Sequence, residues 1–246
     1  PFDQLDFLSE QNETAYDLLV KGRLGNPTDL RRILTHIRLS GRLADLIYSM
    51  EISNTDFYAY QFKPVLKLLN SMTRGILIAD EVGLGKTIEA GLIWTELKSR
   101  FDYRRLMVLC PAMLREKWQY ELKYRFGIDA DILNSSQALK VLKQSSREGL
   151  FSDFAIICSM QGLRGRKASG YYGESDSNQL SKFLEENAEE NPLIDCLIVD
   201  EAHYLRNWES KTAKLGELLR NVTEYLIMLS ATPVHLRSTD LYNLLH

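Results

Sequence analysis

Between residues 28 and 50 the apolar positions recur with the period of an α-helix. Leu30, Ile33, Leu34 and Ile37 fall at i, i+3, i+4 and i+7, and the spacing repeats after Gly41 at Leu43, Leu46, Ile47 and Met50. Thr28 is suited to cap the first of these helices. A short helix is expected to start at Pro64, where the missing N–H costs nothing, and to bury Val65, Leu68 and Leu69. Residues 1–59 are therefore read as a mainly helical N-terminal extension. From there the rhythm changes to short aliphatic and β-branched runs separated by helical stretches: Ile76–Ala79, Leu106–Cys110, Ile128–Ile132, Phe154–Cys158, Cys196–Val199 and Tyr225–Leu229. These runs lack polar alternation, so the strands they predict are buried on both faces, as in a mainly parallel sheet flanked by helices. The expected class over residues 60–246 is α/β, with ligands bound beyond the carboxyl ends of the strands. One interval, about 161–192, breaks the pattern with Gly162-Leu-Arg-Gly-Arg-Lys-Ala-Ser-Gly170 and an acidic stretch. It is read as a surface insertion.

Composition narrows this picture. A chain of 246 residues, 45% hydrophobic and 26% charged with 14 Gly and 6 Pro, belongs with globular proteins rather than disordered or collagen-like ones. At this length about 70 to 75% of the unfolded surface is buried on folding. Cys110, Cys158 and Cys196 form no C-x-x-C pair and have no histidine at ligand spacing, so neither a disulfide framework nor structural zinc is expected. Buried, reduced thiols point to a cytoplasmic protein. No run of about 18 apolar residues occurs and the first residues lack a signal-peptide pattern, so no membrane contact is expected. The chain starts at Pro1 without a methionine and is read as part of a longer protein. Its net charge of −3 averages away two basic clusters, Lys21 to Arg42 and Arg104 to Arg125, which suit a polyanionic partner.

The strongest chemical signal is Ile76-Leu-Ile-Ala-Asp-Glu-Val-Gly-Leu-Gly-Lys-Thr87, a buried strand that runs into a glycine-rich loop and a helix. Gly83 and Gly85, on either side of Leu84, let the backbone wrap a phosphate, and the start of the helix adds its partial positive charge. Lys86 would reach the β- and γ-phosphates and Thr87 would ligate Mg²⁺, with Ile88 completing the nucleotide-binding segment. The strict pattern asks for glycine where Asp80 stands. A second signal follows the strand at Cys196–Val199: Asp200 would hold Mg²⁺, and Glu201 would position and deprotonate an attacking water. ATP and Mg²⁺ are the expected cofactors, with Lys86, Asp200 and Glu201 as the catalytic set.

Asp200-Glu-Ala-His203 together with Ser230-Ala-Thr-Pro233 resembles motifs II and III of superfamily-two helicases, the former in its DEAH-box form. Asp80-Glu-Val-Gly-Leu-Gly-Lys-Thr87 looks like motif I of the Swi/Snf-type branch, in which Asp replaces the first loop glycine. Ile88-Glu-Ala-Gly91 is similar to the bacterial, RapA-like side of that branch. The resemblance spans roughly residues 57 to 245 and implies the first RecA-like P-loop NTPase lobe. By the same resemblance Gln61 reads adenine. The segment Cys110 to Trp118 stands as motif Ia, whose Pro111, Ala112, Met113, Arg115 and Lys117 meet a DNA phosphate backbone. Cys158-Ser-Met-Gln161 sits where motif Ib would, and Arg164, Arg166 and Lys167 extend the same basic track. His203 would hydrogen-bond Ser230 or Thr232 and couple the nucleotide to motif III.

A second RecA lobe of the parent chain would supply an arginine finger, worth about 10³ to 10⁵ in rate in related enzymes, so this lobe alone is expected to be nearly inactive. The implied function is that of a DNA-dependent ATPase translocating on duplex DNA, with RNA polymerase or defence-system subunits as possible protein partners. A strand-separating DEAH-box DNA or RNA helicase is the alternative. A P-loop kinase or ligase leaves Ser230-Ala-Thr-Pro233 without a reason, and a non-enzymatic adaptor is opposed by the intact Lys86, Thr87, Asp200 and Glu201.

Overall fold

The structure, a computed structural model, describes residues 58–71, 73–79, 85–164, 175–188, 192–205 and 210–231. The helices expected before residue 50, with Thr28, therefore lie outside the described residues. So do Asp80, Gly83, Leu84, Arg166, Lys167, Thr232 and Pro233.

Six strands pair in parallel in one sheet: β1 Gly75–Ile78, β2 Arg105–Cys110, β3 Asp131–Leu133, β4 Phe154–Ser159, β5 Ile194–Val199 and β6 Thr223–Leu229. Their order is β1-β6-β5-β2-β4-β3. Every residue of β2 and β5 is buried, which is why those runs contain almost no alternating polar positions. The two exceptions, Arg105 and Asp195, pair with each other. Seven helices are described: α1 Lys63–Leu69, α2 Lys86–Phe101, α3 Arg115–Phe126, α4 Ser135–Glu148, α5 Met160–Leu163, α6 Asp176–Glu186 and α7 Lys211–Asn221. Helices α1, α2 and α3 pack in sequence, while α4, α5, α6 and α7 form a second group. One face of the sheet, through Met107, Leu109, Ile156, Leu197, Val199 and Met228, shares a core with Leu142, Leu180, Leu184 and Leu219 of the second group.

Helix α1 carries Pro64 in its first turn and buries Val65 and Leu68, whereas Leu69 is only half-buried. The strand expected at 128–132 begins later, at Asp131, because α3 has not finished before Gly127. Gly127 takes a left-handed conformation with φ 65° and donates its N–H to the Lys123 carbonyl, while the Ile128 N–H bonds to the Leu122 carbonyl. Ile128 thus closes a helix end rather than opening a strand. Within the interval 161–192, α6 buries Leu180 and Leu184 in the core, so that acidic stretch is a packed helix on its inner side.

Helices α2 and α3 approach at the backbone. A Cβ on Gly91 would lie 2.2 Å from the Phe126 ring, so glycine is required for that ring to rest on α2. This contact fixes α2 against the helix that follows β2.

Candidate nucleotide site and nucleic-acid face

The amino end of α2 has the form of an anion cradle. Gly85 is its N-cap, with φ 93°, and no side chain caps the 16-residue helix. Its carbonyl accepts from the N–H groups of Ile88 and Glu89 at 2.8 and 3.0 Å, which starts the helix. At this end the helix dipole favours negative charge. Lys86 and Thr87 form the first turn and are half-buried, as is Ile88. Gln61 lies against this turn: a Cβ on Gly85 would stand 2.6 Å from Gln61 Nε2. Only 2% of Gln61 is exposed, and its Oε1 accepts from the Tyr58 N–H at 3.0 Å. A left-handed φ at the start of a helix with no side-chain cap fits a bound phosphate.

The two acids follow β5. The Asp200 N–H donates to the Leu109 carbonyl at 2.8 Å, which extends the ladder with β2 by one step and holds the backbone at the sheet edge. Asp200 Oδ1 accepts from the Glu201 N–H at 2.9 Å, and Oδ2 accepts from the Trp118 indole Nε1–H at 2.9 Å. A carboxylate offers about four acceptor sites, so these two bonds leave about half of its capacity for a cation. Among the described residues no cluster of three or more His, Cys, Asp or Glu side chains is arranged for a metal. The donor set of Thr87 and Asp200 fits Mg²⁺, which takes few protein ligands and completes its octahedron with phosphate oxygens and water.

Glu201 has φ 54°, in the left-handed region that a residue bearing Cβ rarely occupies. The chain turns back there into a 3-10 turn, Ala202–Leu205, in which Tyr204 N–H donates to the Glu201 carbonyl at 3.0 Å. The turn brings His203 Nδ1 to 3.1 Å from Glu201 Oε2, although Nδ1 has no aligned hydrogen bond. Ser230, fully buried beyond β6, donates its N–H to the Ile78 carbonyl at 3.0 Å. Histidine and serine thus occupy the ends of neighbouring strands, with the imidazole turned towards the carboxylate of Glu201.

The other strand ends on this edge are basic or open. Pro111 follows β2 and accepts from the Leu114 N–H at 2.9 Å, closing a turn at Ala112–Leu114. Ala112 is exposed and Met113 is 86% exposed. Arg115 opens α3 and folds its Nε–H onto the Ala112 carbonyl at 3.1 Å, while Lys117 extends into solvent. After β4, Ser159 Oγ accepts from the Gly162 N–H at 3.0 Å and caps α5, which delivers the exposed Arg164. The 112–114 turn packs beside α5, so the two basic segments adjoin. The thiols take no part in this chemistry. Burial pushes Cys110 up to about 12, with the Asp200 carboxylate adding to it, and burial does the same to Cys158, also about 12. Cys196 is raised further by complete burial. All three are buried and protonated.

A family model of the SNF2-related domain matches residues 42–246. The chain belongs to the SNF2-related domain family. The match starts at residue 42, before the end of the stretch read as a helical extension. A Sulfolobus solfataricus SWI2/SNF2 ATPase core in complex with dsDNA is similar in structure, with a TM-score of 0.55 and 19% identity. The similarity covers 79% of this chain and 36% of that one. The Sulfolobus solfataricus SWI2/SNF2 ATPase core domain gives the same TM-score and identity over 83% of this chain and 38% of that one. At such identity the likeness is one of fold, and this chain spans well under half the length of either.

For an SNF2-related domain, the strand ends gather Gly85, Lys86, Thr87, Ile88, Asp200, Glu201, His203 and Ser230 with Pro111, Ala112, Met113, Arg115, Lys117 and Arg164. Gln61 joins the amino end of α2 from outside the sheet. In the sequence Trp118 stands only as the last residue of the motif Ia segment. The structure makes it a hydrogen-bond partner of Asp200, 82 positions along the chain. The available clue was chemical: a buried indole N–H seeks an acceptor.

Proposed function

We propose that this SNF2-related domain is the nucleotide-binding lobe of a DNA-dependent ATPase that uses ATP hydrolysis to translocate on duplex DNA. The observation that carries the proposal is the uncapped start of α2 behind left-handed Gly85, on the same sheet edge as half-coordinated Asp200 and strained Glu201. In this reading the α2 N–H groups and Lys86 bind the β- and γ-phosphates, and Gln61 recognises adenine with its amide. Thr87 and Asp200 hold Mg²⁺, which neutralises phosphate charge when bound. Glu201 orients the attacking water and takes its proton, and His203, turned towards the Glu201 carboxylate, couples the nucleotide to Ser230 or Thr232. A second RecA lobe of the parent protein completes the site with an arginine.

Duplex DNA is the track we assign to Pro111, Ala112, Met113, Arg115, Lys117 and Arg164, and the dsDNA in the Sulfolobus complex supports that choice over RNA. The contacts are to phosphate, so they position the duplex without reading its sequence. Ile88-Glu-Ala-Gly91 favours the RapA-like branch within the family. Three buried thiols favour the reducing cytoplasm, and among the described residues no helix is long and apolar enough to cross a membrane. The decisive experiment is calorimetric titration of Mg·ADP into the chain and its Lys86→Ala variant. Weak binding by the former and none by the latter is expected; equal affinity would defeat the assignment.

A further inference from the structure

We propose that Trp118 is a positioning residue for the metal-binding carboxylate of Asp200, and that α3 is thereby shared between the DNA face and the metal site. The inference rests on the nucleotide-site reading above and extends it to a residue outside the signature motifs of the phosphate and metal sites. Trp118 is 1% exposed, and its indole Nε1–H donates to Asp200 Oδ2 at 2.9 Å. With the Glu201 N–H on Oδ1, one donor holds each carboxylate oxygen, and the carboxylate plane is set from two directions. One of these donors is the carboxylate's own neighbour in the chain. The other comes from a different element, so the indole ties the side chain of Asp200 to α3, as its N–H ties the backbone to β2.

That element is placed to matter. Helix α3 begins with Arg115 and carries Lys117 on its exposed side, immediately before Trp118. Its far end rests on α2, where the Phe126 ring occupies the space that a side chain on Gly91 would fill. The same rigid helix therefore touches the helix of the phosphate loop, the metal carboxylate and the basic turn after β2. A buried ring on a helix anchored to α2 through Phe126, and bonded through its N–H to Asp200, has little freedom to drift. Donors of this kind, one step removed from the ion, hold a ligand in its binding orientation, and their loss commonly weakens metal affinity about 10- to 100-fold.

The test uses the full 246-residue chain with ADP and Mg²⁺. Trp118→Phe keeps an aromatic ring and removes the donor. Incorporation of 3-benzothienylalanine at position 118 retains the shape of the indole and replaces only the N–H by sulfur, which separates the bond from the packing if the smaller ring unsettles the fold. In both variants the Mg²⁺ concentration for half-maximal ADP affinity is expected to rise about 10- to 100-fold. ADP affinity without Mg²⁺ should stay within about twofold of the parent, because that donor touches no nucleotide atom. In the indole N–H region of a ¹H–¹⁵N spectrum, the resonance lost in Trp118→Phe should shift upfield in Asp200→Ala. An unchanged Mg²⁺ requirement in the benzothienyl protein overturns the inference and leaves the nucleotide site standing. Equal losses with and without Mg²⁺ reduce Trp118 to a packing residue and overturn it too, as does an indole resonance that ignores Asp200→Ala. Failure of the parent chain to bind ADP at all overturns the nucleotide-site reading together with this one.

Discussion

Strand β5 carries an aspartate at each end, and the two have opposite surroundings. Asp195, near its amino end, is 4% exposed and fully engaged. Its Oδ1 accepts from Arg105 Nε at 3.0 Å and from Arg105 Nη2, and its Oδ2 accepts from the backbone N–H groups of Arg104 and Arg105, both at 2.8 Å. Arg105 Nη1 is occupied by the Pro192 carbonyl at 2.7 Å. Asp200, beyond the carboxyl end, holds two bonds and faces an open edge. A saturated carboxylate has nothing left for a ligand and serves the fold by tying β2 to β5. A half-saturated one beside a left-handed glutamate is available for chemistry. Charge and residue type are the same; coordination separates structure from function.

The comparison is broken most directly at these acids. In the protein that carries both lobes, Glu201→Gln should lower DNA-stimulated ATP turnover about 10²- to 10⁴-fold, the usual contribution of a positioned base, while nucleotide binding persists. Turnover at the parent rate in a steady-state assay would remove Glu201 from that role. At the other end, Asp195→Ala leaves Arg105 buried without its counter-charge and should cost about 3 to 5 kcal/mol in urea unfolding. Asp200→Ala should cost less, about 1 to 3 kcal/mol, because it strips the buried Trp118 N–H of its acceptor but leaves no buried charge, yet abolish the Mg²⁺ dependence of ADP binding. Equal destabilisation by the two substitutions would erase the distinction between them.

Smaller effects sharpen it. Arg115→Ala and Lys117→Ala should each reduce the salt dependence of duplex-DNA affinity by about one unit of slope, with no base preference and no change in ADP affinity. Superimposed salt titrations for parent and double variant would move the track elsewhere. Smallest is Glu201→Gly, which relieves a left-handed φ and should stabilise the fold by up to about 1 kcal/mol. The gain is offset in part by the greater freedom of glycine in the unfolded chain. A loss of stability in that variant would show that the Glu201 side chain, through its approach to His203, holds the turn.

Much of the candidate site is local and legible in the sequence. A strand, a glycine loop and a helix follow one another between Ile76 and Phe101, and the acids Asp200 and Glu201 come directly after an apolar run, so order along the chain places each at a strand end. Unbroken apolar runs also announced a parallel sheet. The exception at residues 128–132 has a local cause that periodicity overlooks, since Gly127 ends α3 by turning Ile128 back onto Leu122. Gly91 closes the family-like run Ile88-Glu-Ala-Gly91. Its physical task is to admit the Phe126 ring.

What the sequence by itself determined is therefore the inventory of chemistry and the edge on which it lies, because strand polarity and loop composition are properties of neighbouring residues. Tertiary structure alone decided how those groups are partnered. It set Gln61 against Gly85, closed Asp195 with Arg105 and left Asp200 with only the Glu201 N–H and the indole of Trp118 on its carboxylate. These pairings follow from the strand order β1-β6-β5-β2-β4-β3, which brings the end of β5 beside the helix that leaves β2. A hydrogen bond depends on distances of a few tenths of an ångström between groups far apart in sequence, and no period or motif along a single chain encodes them.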